Sequence, residues 1–179
     1  ARQGVMFTRC YSSQYCCPAR ASLLMGVHDS HSGSYTQTAG GLVTRAEKEG
    51  WSNGELEEKA AKASFIKPSA REVFLPELLK KAGYATAQFG KLDWGFNTWH
   101  AELKRHGWDY YTGYMDHQRA HGFYPSFLWK NGERLPLEGN TRPDAGITAE
   151  NYSAGATEKR RGSRDGKTTY APDVMLRET

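Results

Sequence analysis

Apolar and polar positions predict a strand, a loop and a helix at the start of the chain, then a helix and a strand near its middle. Val5 to Thr8 reads as a short strand, and Tyr11 to Tyr15 as the loop that delivers a helix over Pro18 to Met25. Pro18 suits the first helical position, where a missing N–H costs nothing, and Gly26 supplies the stop after Leu23, Leu24 and Met25. Residues 27–67 are polar and Gly-rich and read as a surface excursion, with one candidate helix from Gly54 to Ala63 marked by its Glu, Lys and Ala content. Pro76 to Ala82 predicts a second helix, with proline near its start and Gly83 as its stop. Tyr84 to Phe89 then alternates like a strand. Gly90 and Lys91 follow directly, so Lys91 is expected at a strand's carboxyl end, where ligands bind in open α/β sheets. The aromatic runs 107–114 and 121–132 read as packing and hairpin structure, with Asn131-Gly132 as a turn. Residues 141–170 carry little signal, and Pro172-Asp173 opens a last helix. This order predicts the α/β class.

Composition bounds the picture without naming a chemistry. The 179 residues are 38% apolar and 12% aromatic, enough for one domain with a real core and too apolar for gross disorder. Net charge is +4 and spread along the chain, which does not indicate nucleic acid. The one dense basic run, Lys159, Arg160, Arg161, Arg164 and Lys167, reads as a solvated loop or as a patch for an acidic polymer such as a sulfated polysaccharide. No stretch approaches the roughly 18 apolar residues of a membrane span, and no signal peptide is visible. Three cysteines, at 10, 16 and 17, cannot make a disulfide framework, and adjacent Cys16 and Cys17 would pair only with strain. The chain opens without an initiator Met and closes within what reads as a helix, so it is read as an internal fragment.

The candidate chemistry centres on Cys16. It lies just ahead of a helix N-terminus, where unpaired N–H groups and the positive end of the dipole favour both a tetrahedral anion and a lowered thiol pKa. Arg20 adds a fixed cation with planar donors. The alternative is that Cys16 and Cys17 are small thiols buried near a helix start. His28 and His31 read either as loop histidines or as metal ligands. His117, Gln118 and His121 are the polar exceptions near the aromatic runs and are candidates to line a substrate pocket.

The stretch from Cys16 to Gly26 resembles the sulfatase signature, Cys-x-Pro-x-Arg followed by small residues and leucines ending in Thr-Gly. Cys16, Pro18 and Arg20 hold the diagnostic positions, and Gly4 to Thr8 resembles the strand that leads into them. Met25 stands where the family has Thr, and Val27 where Arg is common. Residues 78–95 resemble the second signature, Gly-Tyr-x-Thr-x-x-x-Gly-Lys-Trp-x-x-Gly, through Gly83, Tyr84, Thr86, Gly90, Lys91 and Gly95. Leu92 and Trp94 reverse the usual Trp and Leu, and Asp93 stands where members carry His or Gly. Residues 107–114 are similar to Gly-Phe-Asp-Tyr-Phe-x-Gly-Tyr, and 121–132 to Tyr-Tyr-Pro-x-x-Leu-Trp-x-Asn-Gly, of bacterial arylsulfatase-like proteins.

The resemblance implies an alkaline-phosphatase-like central sheet sandwiched by helices, of which residues 1–179 are a partial N-terminal catalytic portion. It implies hydrolysis of a sulfated carbohydrate or aryl sulfate through formylglycine made from Cys16 by a formylglycine-generating or anaerobic sulfatase-maturing enzyme. In the family the hydrated aldehyde attacks sulfur, the alcohol leaves, and the second hydroxyl expels sulfate as the aldehyde reforms. Arg20 would stabilise that hydrate and Lys91 would bind a sulfate oxygen. A calcium ion is implied, with the converted Cys16 at the metal, but the family's calcium carboxylates, second lysine and leaving-group histidine fall outside this chain. Members are commonly periplasmic or secreted. Two other readings stand beside this one, motivated by Met25, Asp93 and the missing metal ligands or by relatives with the same signature. They are a degenerate domain that binds sulfated ligands without turnover, and a phosphoester or phosphonate hydrolase.

Overall fold

A computed structural model describes residues 4–13, 16–28, 45–46, 49–52, 54–55, 58–59, 73–92, 100–115, 119–143 and 165–179. Helix α1 spans Cys16–Met25 and ends at Gly26, whose φ of +64° takes the chain out of the helix. The helix starts two residues earlier than the sequence suggests. All of the first-turn N–H groups lack an intrahelical acceptor, so Pro18 is tolerated as the third residue as readily as the first. Helix α2 runs over Leu75–Lys81 and α3 over His100–Arg105, while α4, Ala171–Arg177, carries the predicted Pro172 in its first turn.

Four strands form one mixed sheet in the order β1 (Ala87–Lys91), β2 (Tyr110–Tyr114), β3 (Phe127–Lys130) and β4 (Glu133–Pro136). β1 and β2 are parallel, joined through α3, and the other two pairs are antiparallel. Asn131, at φ +49°, and Gly132, at +94°, make the expected hairpin turn between β3 and β4. The strand read over Tyr84 to Phe89 begins three residues later. Tyr84 and Ala85 are exposed, and pairing starts only where Tyr110 meets Ala87. Residues 5–8 are not a strand: none of the four described strands pairs with them, and Val5, Met6 and Phe7 are exposed.

Side chains alternate across the sheet, so its two faces build two cores. One gathers Tyr111, Phe127 and Trp129 with Ala21 of α1, Leu92, Leu103 and Phe74. The other gathers Tyr114, Leu128 and Leu137 with Ala171 and Val174 of α4. The architecture is α/β, with a sheet between helices. Within the stretch read as a surface excursion, Ala46 is fully buried in the first core and Trp51 packs against it. Of the helix expected from Gly54 to Ala63, residues 54, 55, 58 and 59 are helical and the others lie outside the described residues. Ser52 caps its start, its hydroxyl accepting from the Glu55 N–H at 3.2 Å while the Glu55 carboxylate accepts from the Ser52 N–H at 2.8 Å.

The entries to β1 and β2 are locked together by two motif residues. Thr86 donates its N–H to Asp109 Oδ2 at 3.1 Å, and Asp109 returns its N–H to the Thr86 hydroxyl at 3.0 Å. Lys80 of α2 also reaches the Asp109 carboxylate. That ammonium and then the Thr86 N–H hold the Asp109 carboxyl below its ordinary pKa. A carboxyl lowered on folding adds stability above its unfolded value of about 3.9, and the contribution disappears as pH falls through the lower folded value. Asp109→Asn is therefore expected to lower the melting temperature near neutrality and to flatten its decline in acid. A variant curve parallel to wild type below pH 4 would show that this carboxylate contributes nothing to the acid response.

Candidate active site

Cys16 and Arg20 are four residues apart on α1, so they share a face. The Cys16 side chain is half-buried and packs against the core that holds Leu92 and Tyr111. Pro18 and Ala21 of the same helix are buried, while Cys16 and Arg20 are half-buried. No acidic residue lies in the first turn to offset the dipole.

Lys91 is the last residue of β1, at the carboxyl end of a parallel pair, as its place in the sequence predicts. Arg20 Nη2 donates to the Lys91 carbonyl, which joins α1 to the strand end. The Arg20 Nε–H is buried and has no hydrogen-bond partner among the described residues. A buried guanidinium donor of that kind is an unmet demand for an acceptor. Here the helix N-terminus and the guanidinium make the neighbourhood cationic, which suits a tetrahedral oxyanion.

Glycines let β1 and β2 approach at this end. Gly90 and Gly113 are register partners, and a Cβ on Gly113 would lie 1.9 Å from the Gly90 carbonyl oxygen. Gly90 has φ +104°, which swings its peptide over the facing glycine just before Lys91. The Leu92 N–H then donates to the Tyr114 carbonyl at 2.8 Å, holding the chain as it leaves the strand.

The sequence reading missed Tyr111. Its ring is buried in the core and its hydroxyl donates to the Gly90 carbonyl at 3.0 Å. Burial raises the pKa of this phenol well above its usual value, an effect the Arg20 guanidinium opposes, so the group is neutral at ordinary pH. One signal was present, since Tyr111 stands where the matching arylsulfatase-like motif has Phe.

His121 ends a 3-10 turn, Arg119–His121, in the connection from β2 to β3, and is half-buried. His117, Gln118, Asp93, Trp94, Gly95 and His31 lie outside the described residues. Thus the Arg20 side chain is brought into contact with the Lys91 backbone, with Cys16 on the same helix face as Arg20. Among the described residues, no three His, Cys, Asp or Glu side chains converge as a metal-ion set. Among the described residues, the Cys16 thiol and the Arg20 guanidinium at this helix do not supply the carboxylate oxygens that calcium takes. No helix of the described residues is long and apolar enough to cross a membrane.

Comparison with curated proteins gives no match. The Sulfatase family model matches residues 1–157, a span that takes in Cys16, Arg20, Lys91 and all four strands. The chain belongs to the sulfatase family of hydrolases.

Proposed function

We propose that this chain carries the nucleophile-bearing part of a sulfuric ester hydrolase that removes sulfate from a carbohydrate or aryl ester, with Cys16 converted to formylglycine by a maturing enzyme. The observation that supports it most is the Arg20 hydrogen bond to the Lys91 carbonyl, because it unites two motif blocks 71 residues apart. Formylglycine would supply a hydrated aldehyde hydroxyl as nucleophile at sulfur. Cys16 is half-buried on the first turn of α1, a position that a modified side chain of similar size can occupy. Arg20 has a buried Nε–H with no hydrogen-bond partner among the described residues, and Lys91 would supply a compact cation for a sulfonyl oxygen. Both stabilise charge that redistributes onto oxygen as the ester bond breaks. His117, Gln118 and His121 would contact the rest of the substrate. Calcium belongs to the same reading and would be held by carboxylates that are not among the described residues. A periplasmic or secreted location goes with this chemistry.

A second reading has its own support. Met25 occupies the Thr position of the signature, and its side chain packs against the core. Val27 occupies the position where Arg is common. If the maturing enzyme fails on this variant, the domain would bind sulfated ligands without turning them over.

The test uses the full-length protein, co-expressed with a maturing enzyme and assayed on 4-nitrophenyl sulfate and 4-nitrophenyl phosphate. The proposal expects preference for the sulfate, and a fall in kcat/KM of roughly 10²- to 10³-fold in Lys91→Ala, the size seen when one charge-stabilising donor is lost. Preference for the phosphate would move the protein to phosphoester hydrolysis. Sulfate binding without turnover of either ester would favour the second reading.

A further inference from the structure

We propose that the Tyr111 hydroxyl is a positioning residue that fixes the Gly90-Lys91 strand end against Arg20, and so sets where the Lys91 ammonium stands. This inference rests on the reading of Lys91 as an anion-binding group.

At φ +104°, Gly90 turns its carbonyl over Gly113, where only a hydrogen leaves room for it. That carbonyl lies at a half-buried strand end and needs a donor. The Tyr111 O–H supplies it at 3.0 Å, from a ring that is 1% exposed and cannot swing away. The next carbonyl, of Lys91, is taken by Arg20, and the following N–H, of Leu92, by the Tyr114 carbonyl. Three consecutive residues are thus each held, by β2, by α1 and by β2 again.

Tyr111 is itself clamped. Its N–H donates to Asn131 Oδ1 at 2.9 Å, and the Asn131 N–H donates to the Tyr111 carbonyl at 3.0 Å. The hairpin turn between β3 and β4 therefore anchors the residue that pins β1. The phenol is also close enough to the Arg20 guanidinium for that cation to act on its titration. The buried hydroxyl thus bonds the residue that precedes Lys91. A Phe here would fill the same core space and leave the Gly90 carbonyl without its donor.

The variant Tyr111→Phe keeps the ring and matches the motif. In the full chain, amide hydrogen exchange is expected to rise about fivefold over residues 88–92, the effect of one lost net hydrogen bond, and to stay unchanged over residues 127–130. Inorganic sulfate is the binding probe. Its dissociation constant is expected to rise several-fold in Tyr111→Phe, and the same substitution is expected to have no effect in a Lys91→Ala background, because the hydroxyl acts through Lys91. Unchanged exchange over residues 88–92 overturns the proposal whatever sulfate does. Equal acceleration in both segments also overturns it, since that is general loosening. Faster local exchange with unaltered sulfate affinity overturns the link to Lys91. If the wild type fails to bind sulfate, the anion-site reading of Lys91 fails and this inference falls with it, whereas sulfate binding that ignores Tyr111 leaves that reading intact.

Discussion

Cys16→Ala in the matured full-length protein is expected to abolish turnover of 4-nitrophenyl sulfate, with kcat falling on the order of 10⁴-fold or more. An alanine offers nothing that a maturing enzyme could convert and no group that could attack sulfur. What remains is the Arg20 guanidinium and the α1 N-terminus beside the Lys91 strand end, which on the proposed reading would still bind an anion without supplying a nucleophile. Inorganic sulfate should therefore still bind, within a few-fold of wild type. The fold should tolerate the change, because Cys16 is half-buried and packs at the margin of the first core. Steady-state assay together with a melting curve checks this. A variant that melts like wild type and retains even a tenth of its turnover would remove Cys16 from the reaction.

Gly113→Ala is the substitution expected to damage the fold most. The new Cβ would lie 1.9 Å from the Gly90 oxygen, 2.7 Å from its carbonyl carbon and 2.8 Å from its nitrogen. All three are backbone atoms, so no side chain can rotate to relieve the clash. β1 must draw away from β2, which breaks the register of the parallel pair and displaces Lys91. Overpacking that rigid backbone is expected to cost about 3 kcal/mol or more. For a chain of this size that corresponds to a fall of roughly 6–12 °C in melting temperature. Thermal unfolding measures the first effect, and sulfate binding the second. A melting temperature within a degree of wild type would contradict the close approach of the two glycines.

Elements with strong local punctuation were legible in the sequence. Proline and glycine bracket α1 and α2, and Asn131-Gly132 marks its hairpin, because each of these residues dictates backbone conformation by itself. Strand limits were harder, since alternation over Tyr84 to Phe89 describes side chains and not pairing partners. Pairing with Tyr110 puts the start of β1 at Ala87. Val5 to Thr8 failed for the same reason: its apolar run matches a strand, but strandhood needs a neighbour.

For the site, Cys16, Arg20 and Lys91 stood out because their motifs carry charge and a nucleophile in fixed spacing. The contact between Arg20 and the Lys91 backbone was invisible, as it depends on how α1 packs on the sheet. Tyr111 was hidden among aromatic residues whose usual work is packing. Only the direction of its hydroxyl, set by the β1 to β2 register, distinguishes it from a core ring.

Whether Cys16 becomes the nucleophile of a sulfate-ester hydrolase is read by peptide mass spectrometry. The Cys16 peptide is isolated from the full-length protein after co-expression with a maturing enzyme, and reacted with a hydrazide to capture aldehyde. The expected result is loss of the thiol sulfur, gain of a hydrazide-reactive aldehyde at position 16, and sulfatase activity that scales with the converted fraction. An intact Cys16 thiol in protein that hydrolyses sulfate esters at full rate would contradict it, as would complete conversion with no hydrolysis of any sulfate ester tested.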